Sequence, residues 1–506
     1  MIALPALVAA PVAALAVLVL LRSPLRGAIV AAPSRDRWHR SSTPALGGVG
    51  IFLGFASGMG LSLLLGLEPT WELAGILGGA LLVFVLGLVD DLHPLSPGLK
   101  LAGQAAAAGL VLASGIRVQI VDNEVAATAI GLLWLVGITN AFNLLDNMDG
   151  LAGTLAVIAA AFFAVDAVTV HPDSVLLAVS LSLALAVLGF LPFNFRPRRP
   201  AAAFMGDSGS QTLGLVLAAL GLATSWKVAE TTVATLIFPL LVLAVPLLDT
   251  ALVTAVRLVE GRPVHQGGRD HASHRLVRGG ISEKATVLLL AAIAAGLGGS
   301  SLAYSGLDNS WVTMVGVLVT FALLVQLAGF LTDIDEGPPS SRAVHLRTIL
   351  LAPRRLAEMA VDFALVSASF TASYLLLVDG TGSAYQRHIF LSSLPVLLGA
   401  RYLAFIPAGL YSGVWRFAGA REAAAIVTAV VVSEALTVGV VLAMGRPLGD
   451  FPARIYAVDA LLCAALVGAS RFGERALFRA LAFLRDRSQA RRVLIVGAGR
   501  GGRSLL

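Results

Sequence analysis

Apolar runs of about 20 residues recur along the whole of this 506-residue chain, and each is long enough to cross a bilayer as an α-helix. Within hydrocarbon every backbone N–H and C=O must find its partner inside the segment, so such runs fold as helices. Fifteen can be marked, near 4–21, 46–66, 72–89, 99–116, 124–142, 151–169, 175–193, 209–226, 232–256, 285–305, 311–333, 356–378, 390–411, 422–444 and 455–470. Only 13% of the residues are charged, where a soluble chain carries roughly 25%, and mean hydropathy is +0.87. The sequence therefore predicts an all-α polytopic membrane protein of about 15 transmembrane helices, 11 before residue 335 and 4 after 356. The opening MIALPALVAAPVAALAVLVLL has no basic residue ahead of its apolar core, which predicts a membrane helix rather than a cleaved signal. Cys463 is the lone cysteine, so no intrachain disulfide can form.

The net charge of +6 reports orientation in such a chain and does not call for a nucleic-acid partner. With the N-terminus outside, the inner connections hold Arg22, Arg26, Arg35, Arg37, Arg40, Lys100, Arg196, Arg198 and Arg199. They also hold Arg257, Arg262, Arg269, Arg275, Arg278, Arg342, Arg347, Arg354, Arg355 and the basic tail from Arg471 to Arg492. Outer connections hold Arg117, Lys227, Arg387, Arg446 and Arg454. That asymmetry predicts a cell-membrane protein whose basic loops face the cytoplasm.

Four polar stretches fall on that inner side: VDDLHPLSPGLK with Asp90 and Asp91, NAFNLLDNMDG, NFRPRRPAAAFMGDSGS with Asn194 and Asp207, and GRPVHQGGRDHASHRL with Asp270, His271, His274 and Arg275. A connecting loop accounts for any one of them; four on one side point to one convergent site. Asn143, Asp146 and Asp149 are spaced by three, which lets successive members share a helix side. Asp207 lies among small residues at a predicted helix start, where free N–H groups favour phosphate. Hard carboxylate oxygens suit magnesium, which is bound by one or two carboxylates together with substrate phosphate. His271 and His274 lack the HExxH spacing of a zinc site and would need a third ligand. Physical chemistry alone leads to phosphoryl transfer or phospholipid handling at the inner interface.

Residues 1–335 resemble the polyprenyl-phosphate N-acetylhexosamine-1-phosphate transferases. The matching blocks are PSRDRWHRSSTPALGG, GLVDDLHPLSPGLKLAGQ, NAFNLLDNMDGLAG, FNFRPRRPAAAFMGDSGSQTLG, PLLDT with Asp249, and GGRDHASHRL. The resemblance implies that a polyprenyl phosphate of undecaprenyl type attacks the sugar-linked phosphate of a UDP-N-acetylhexosamine and that UMP leaves. It implies magnesium, or manganese in its place, on Asp207 and Asp91. It implies a catalytic set of Asp90, Asp91, Asp207, His271 and His274. Substrate contacts implied are His39, Lys100, Asn143, Asp146, Asp149, Asn194, Asp270 and Arg275. Asn147 departs from the family's frequent Gly, and Ser273 stands where many members have a further His. The histidine loop fits the envelope-glycan and teichoic-acid branch better than the muramyl-pentapeptide branch.

Beyond this unit, residues 336–355 read as a linker, and 356–490 resemble the four-helix membrane anchor of polysaccharide-biosynthesis nucleotide-sugar epimerase/dehydratases. Residues 491–506 carry Gly497-x-Gly499-x-x-Gly502 after VLIV, the opening of a dinucleotide-binding fold without its helix, second strand or ribose-binding acid. No NAD binding is expected. A homo-oligomer is left open, as are two rival functions: a transporter or flippase of lipid-linked sugars, and a membrane scaffold.

Overall fold

The computed structural model describes residues 4–27, 30–31, 43–118, 123–196, 199–225, 233–259, 262, 270–278, 280–305, 316–320, 324, 343–378, 383–411, 419–443 and 452–484. Its first unit runs α1 (Ala9–Arg22), α2 (Gly47–Leu64), α3 (Trp71–Leu92), α4 (Pro97–Ala113), α5 (Glu124–Leu145), α6 (Leu151–Thr169), α7 (Ser174–Asn194), α8 (Gly206–Ser225), α9 (Val233–Val242), α10 (Ala244–Val259), α11 (Ala272–Arg278) and α12 (Glu283–Ser305). The second unit has α13 (Ala343–Leu377), α14 (Ala384–Phe405), α15 (Ala420–Ala443) and α16 (Arg454–Leu484). The stretch expected as a linker is thus helical from Ala343 onward.

Short polar residues set the helix starts. Thr70 accepts from Leu73 N at 3.1 Å, Asn123 from Ala126 N at 3.0 Å, and Asp173 from Val175 N at 2.8 Å. Each takes up an N–H that the first turn cannot satisfy internally. Ser96 does the same for α4, with Pro97 supplying the fixed φ of a first helical position.

Among the described residues eleven helices are long and apolar enough to cross a membrane, fewer than the 15 runs marked in the sequence. Pro97–Ala113 has only 17 residues. Gly206–Ser225 opens on the polar turns GDSGSQ. The run 232–256 is broken into α9 and α10, each too short to span. Pro246, having no N–H, cannot continue the hydrogen-bond ladder there. The run at 311–333 falls mostly outside the described residues, as do the Gly-rich tail, His39 and Arg269.

Helix α8 is the axis of the first unit, buried from Ser208 through Thr224 and packed chiefly against α3 and α5. Lipid offers little hydrophobic drive for helix association, so close approach through small residues carries the packing. A Cβ on Gly48 would lie 2.4 Å from Gly209 N, and one on Gly87 would lie 2.5 Å from Ser208 N. These two glycines let α2 and α3 close directly on the first turn of α8.

The second unit has its own core, with Phe370, Phe390, Leu397 and Val430 buried together. It also buries charge. Arg401 pairs with Glu434 and Asp459, donates to Ser433 Oγ at 2.6 Å and to Val430 O at 2.6 Å. Arg471 pairs with Asp362 at 2.7 Å.

Candidate active site

Alternation of helix direction brings the end of α3, the start of α4, the end of α5, the start of α6, the end of α7 and the start of α8 to one end of the unit. The polar motifs of the sequence occupy those ends. At the centre, Lys100 of α4 places its ammonium between two carboxylates, pairing with Asp90 and lying 2.9 Å from Asp207 Oδ2. Asp90 is further held by Leu95 N, which donates to Oδ1 at 2.7 Å. Asn143 donates to Ser210 Oγ at 3.0 Å, seating α5 beside the same turn of α8.

Asp91, the neighbour of Asp90, does something different. Its Oδ1 accepts from Asp207 N at 2.8 Å, and its Oδ2 accepts from Ser208 N at 3.0 Å and Ser208 Oγ at 2.8 Å. A carboxylate from α3 therefore caps the N-terminus of α8, taking up orphan N–H groups and meeting the positive end of the helix dipole. The chain enters that helix through Gly206 at φ +74°, where a Cβ would sit 2.7 Å from Asp91 Oδ2. Only glycine accommodates both demands. Asp91 thereby fixes where Asp207 stands.

One turn deeper, neutral amides join the same helices. Asn140 donates to Gln104 Oε1 at 2.7 Å, and Gln104 donates to Gln211 Oε1 at 3.2 Å. Gln104 follows Lys100 by four residues and Gln211 follows Asp207 by four, so this buried ladder locks the backbones that carry the charged groups.

The other expected site residues divide in two. Asp149 Oδ2 accepts from Ala201 N at 3.1 Å. Asn194 spends its amide on backbone, accepting from Gly150 N at 2.7 Å and donating to Ala203 O at 3.0 Å. Together they pin the start of α6 to the segment leading into α8. Asp146 ends α5, its N–H bonded to Phe142 O at 3.2 Å. The histidine loop is held from α10. Asp249 Oδ2 lies 2.7 Å from His271 Nδ1, and Asp249 Oδ1 accepts from Ala272 N at 2.6 Å. Asp270 Oδ2 meets Arg262 Nη2 at 2.8 Å and Arg257 Nε at 3.2 Å. Burial alone would raise the Asp270 carboxyl, but Arg262 and Arg257 hold it below the usual carboxylate range. Arg275 Nε donates to Asp270 O at 2.7 Å, and the His271 and His274 rings stand 6.0 Å apart, edge to face.

A family model described as glycosyl transferase family 4 matches residues 73–225. The probable undecaprenyl-phosphate N-acetylglucosaminyl 1-phosphate transferase of Bacillus subtilis is 33% identical over 267 residues, covering 51% of this chain and 72% of that protein. The chain belongs to glycosyl transferase family 4. The decaprenyl-phosphate N-acetylglucosaminephosphotransferase of Mycolicibacterium smegmatis is 30% identical over 346 residues, 62% of this chain and 84% of its own. Its counterpart in Mycobacterium tuberculosis is 31% identical over 334 residues, 59% of this chain and 82% of its own. The family segment includes Asp90, Asp91, Lys100, Asn143, Asp146, Asp149, Asn194 and Asp207, while the histidine loop lies beyond it.

The structure adds several residues to the candidate site that the sequence does not single out. Asp249 stands in the sequence as one letter of PLLDT, yet a single acid inside an apolar run is itself a signal of a buried partner. Ser208, Ser210, Gln104 and Gln211 are the small or neutral neighbours of the charged residues, and no charge marks them in the sequence.

Proposed function

We propose that this chain transfers N-acetylglucosamine 1-phosphate from its UDP donor to polyprenyl phosphate, releasing UMP and starting a cell-envelope glycan. The observation that carries the reading is the Asp90–Lys100–Asp207 constellation at helix ends, inside the segment that matches the family. A lipid phosphate reaches such a site from the membrane while its tail stays between helices. One acceptor phosphate oxygen forms a bond to the sugar-linked phosphorus. The bond from that phosphorus to the bridging oxygen breaks, and UMP leaves with that oxygen. The acceptor is already an anion at neutral pH, so the protein's task is positioning and charge neutralisation more than proton abstraction.

The donor set fits magnesium. Asp90 and Asp207 already converge on one cation, the Lys100 ammonium. Among the described residues no three His, Cys, Asp or Glu gather to hold a metal, so substrate phosphate and water would complete the shell, as is usual for this ion. Asp207 with Asp90 would hold the metal, and Asp91 would keep Asp207 in place by capping its helix. When bound, the ion would neutralise charge on the donor phosphates. Asn143, Asp146 and Asp149 would contact the nucleotide sugar, and His271, His274 and Arg275 would clamp its phosphate, as the family resemblance implies. The arginine asymmetry supports a cytoplasmic site. The second unit keeps its sequence resemblance to an epimerase/dehydratase anchor and has no part in the transfer.

Purified protein given UDP-N-acetylglucosamine, undecaprenyl phosphate and magnesium should release UMP in equal amount to the lipid-diphospho-sugar. Omitting the lipid or adding EDTA should abolish release. Absence of UMP under these conditions, or its formation without the lipid, would sink the reading.

A further inference from the structure

The loop between α5 and α6 and the histidine loop are 126 residues apart at their point of contact, where Ser273 Oγ donates to Asn147 Oδ1 at 2.9 Å. Asn147 is held from both sides, because its Nδ2 donates to Leu144 O at 3.0 Å and so ties the amide to the end of α5. Ser273 is fully buried on α11. Beneath this polar bond lies an apolar seam in which Leu145, Met148 and Leu151 share one cluster with Ala272 and Leu276. Asn147 sits between Asp146 and Asp149, and Ser273 between His271 and His274. The bond therefore ties the loop that carries Asp146 and Asp149 to the loop that carries His271 and His274.

We propose that Asn147 and Ser273 act as one positioning pair that sets the width of the nucleotide-sugar pocket and so its choice among UDP-N-acetylhexosamines. The proposal rests on the transferase reading above. An apolar seam can slide by a fraction of an ångström at little cost, since its contacts have no direction. A hydrogen bond cannot, because its strength falls steeply with distance and angle. The pair thus supplies what the seam lacks, a fixed separation between Asp146 and Asp149 in one loop and His271 and His274 in the other. Donors that differ in the orientation of one sugar hydroxyl are told apart by such fixed polar geometry more than by apolar area.

A double-mutant cycle tests the pair. Ser273→Ala removes one oxygen and Asn147→Ala removes the acceptor; neither enlarges a side chain. Each single variant should weaken binding of UDP-N-acetylglucosamine about fivefold, the worth of one ordinary hydrogen bond. The double variant should be no weaker than the worse single, instead of the roughly 25-fold that independent sites would give. Turnover at saturating donor should stay within about twofold, placing the effect in binding. The preference over the C4 epimer UDP-N-acetylgalactosamine should fall alongside. Donor dissociation constants read by calorimetry decide this separately from catalysis. Unchanged constants, an additive double variant or an unchanged donor preference would overturn the pair. A parent protein that binds donor yet releases no UMP would instead overturn the transferase reading.

Discussion

Asp270 shares one carboxylate oxygen between Arg262 and Arg257, the second of which is buried. With its ionised form favoured by these cations, its folded pKa lies below the unfolded value of about 3.9. A depressed pKa contributes stability above the unfolded value, and that contribution is lost as pH falls through the folded one. Asp270→Asn should therefore melt below the parent at pH 6, and the gap should close as the pH is lowered past 4 toward 3. Melting of the detergent-solubilised proteins measures this, and an equal gap at both ends would show that the ion pairs contribute nothing. At this scale the sequence was informative about where charge collects and silent about how it is used. Asp90 and Asp91 are indistinguishable as letters, but their side chains leave the helix about 100° apart. One meets Lys100, the other meets the N-terminus of α8. Asn194 likewise reads as a ligand-type amide, yet both its polar ends are taken by backbone.

Among elements, the second unit makes the sharper case. Arg401, Glu434 and Asp459 come from three different helices and meet out of water. Removing one partner of a buried ion group leaves the rest unpaired, which costs about 3–5 kcal/mol, while replacing the whole group by apolar residues costs far less. Arg401→Met should thus unfold at markedly lower denaturant, and the triple change Arg401→Met, Glu434→Met, Asp459→Leu should recover much of the loss. A triple variant weaker than the single would contradict that account. Hydropathy made nearly all these helices legible, because a 20-residue apolar run has few other fates. It failed where apolarity and continuity part company. The run 232–256 is apolar throughout but loses a backbone bond at Pro246, and α8 is a core helix whose first turns are polar and carry Asp207.

Across the whole molecule, the motifs from Gly47 to Asp207 converge because of the parity of the helices. An odd helix ends where the next even one begins, so polar residues at alternate connections share one end. That much could be read from the chain. The closeness of the parts could not, since it depends on glycines that let helices touch and on the Asp91 cap that orients Asp207. The central claim is that Asp207 supports the transition state while Asp149 belongs to the donor pocket. Kinetics of Asp207→Asn and Asp149→Asn in the full-length protein, with UMP release followed against donor concentration, tests it most directly. Asp207→Asn should lose at least about a hundredfold in kcat while still binding donor, because the charge it removes matters most as phosphate charge develops. Asp149→Asn should raise the donor KM with kcat largely kept. Parent rates in both variants, or an Asp207→Asn enzyme impaired only in KM, would contradict the account.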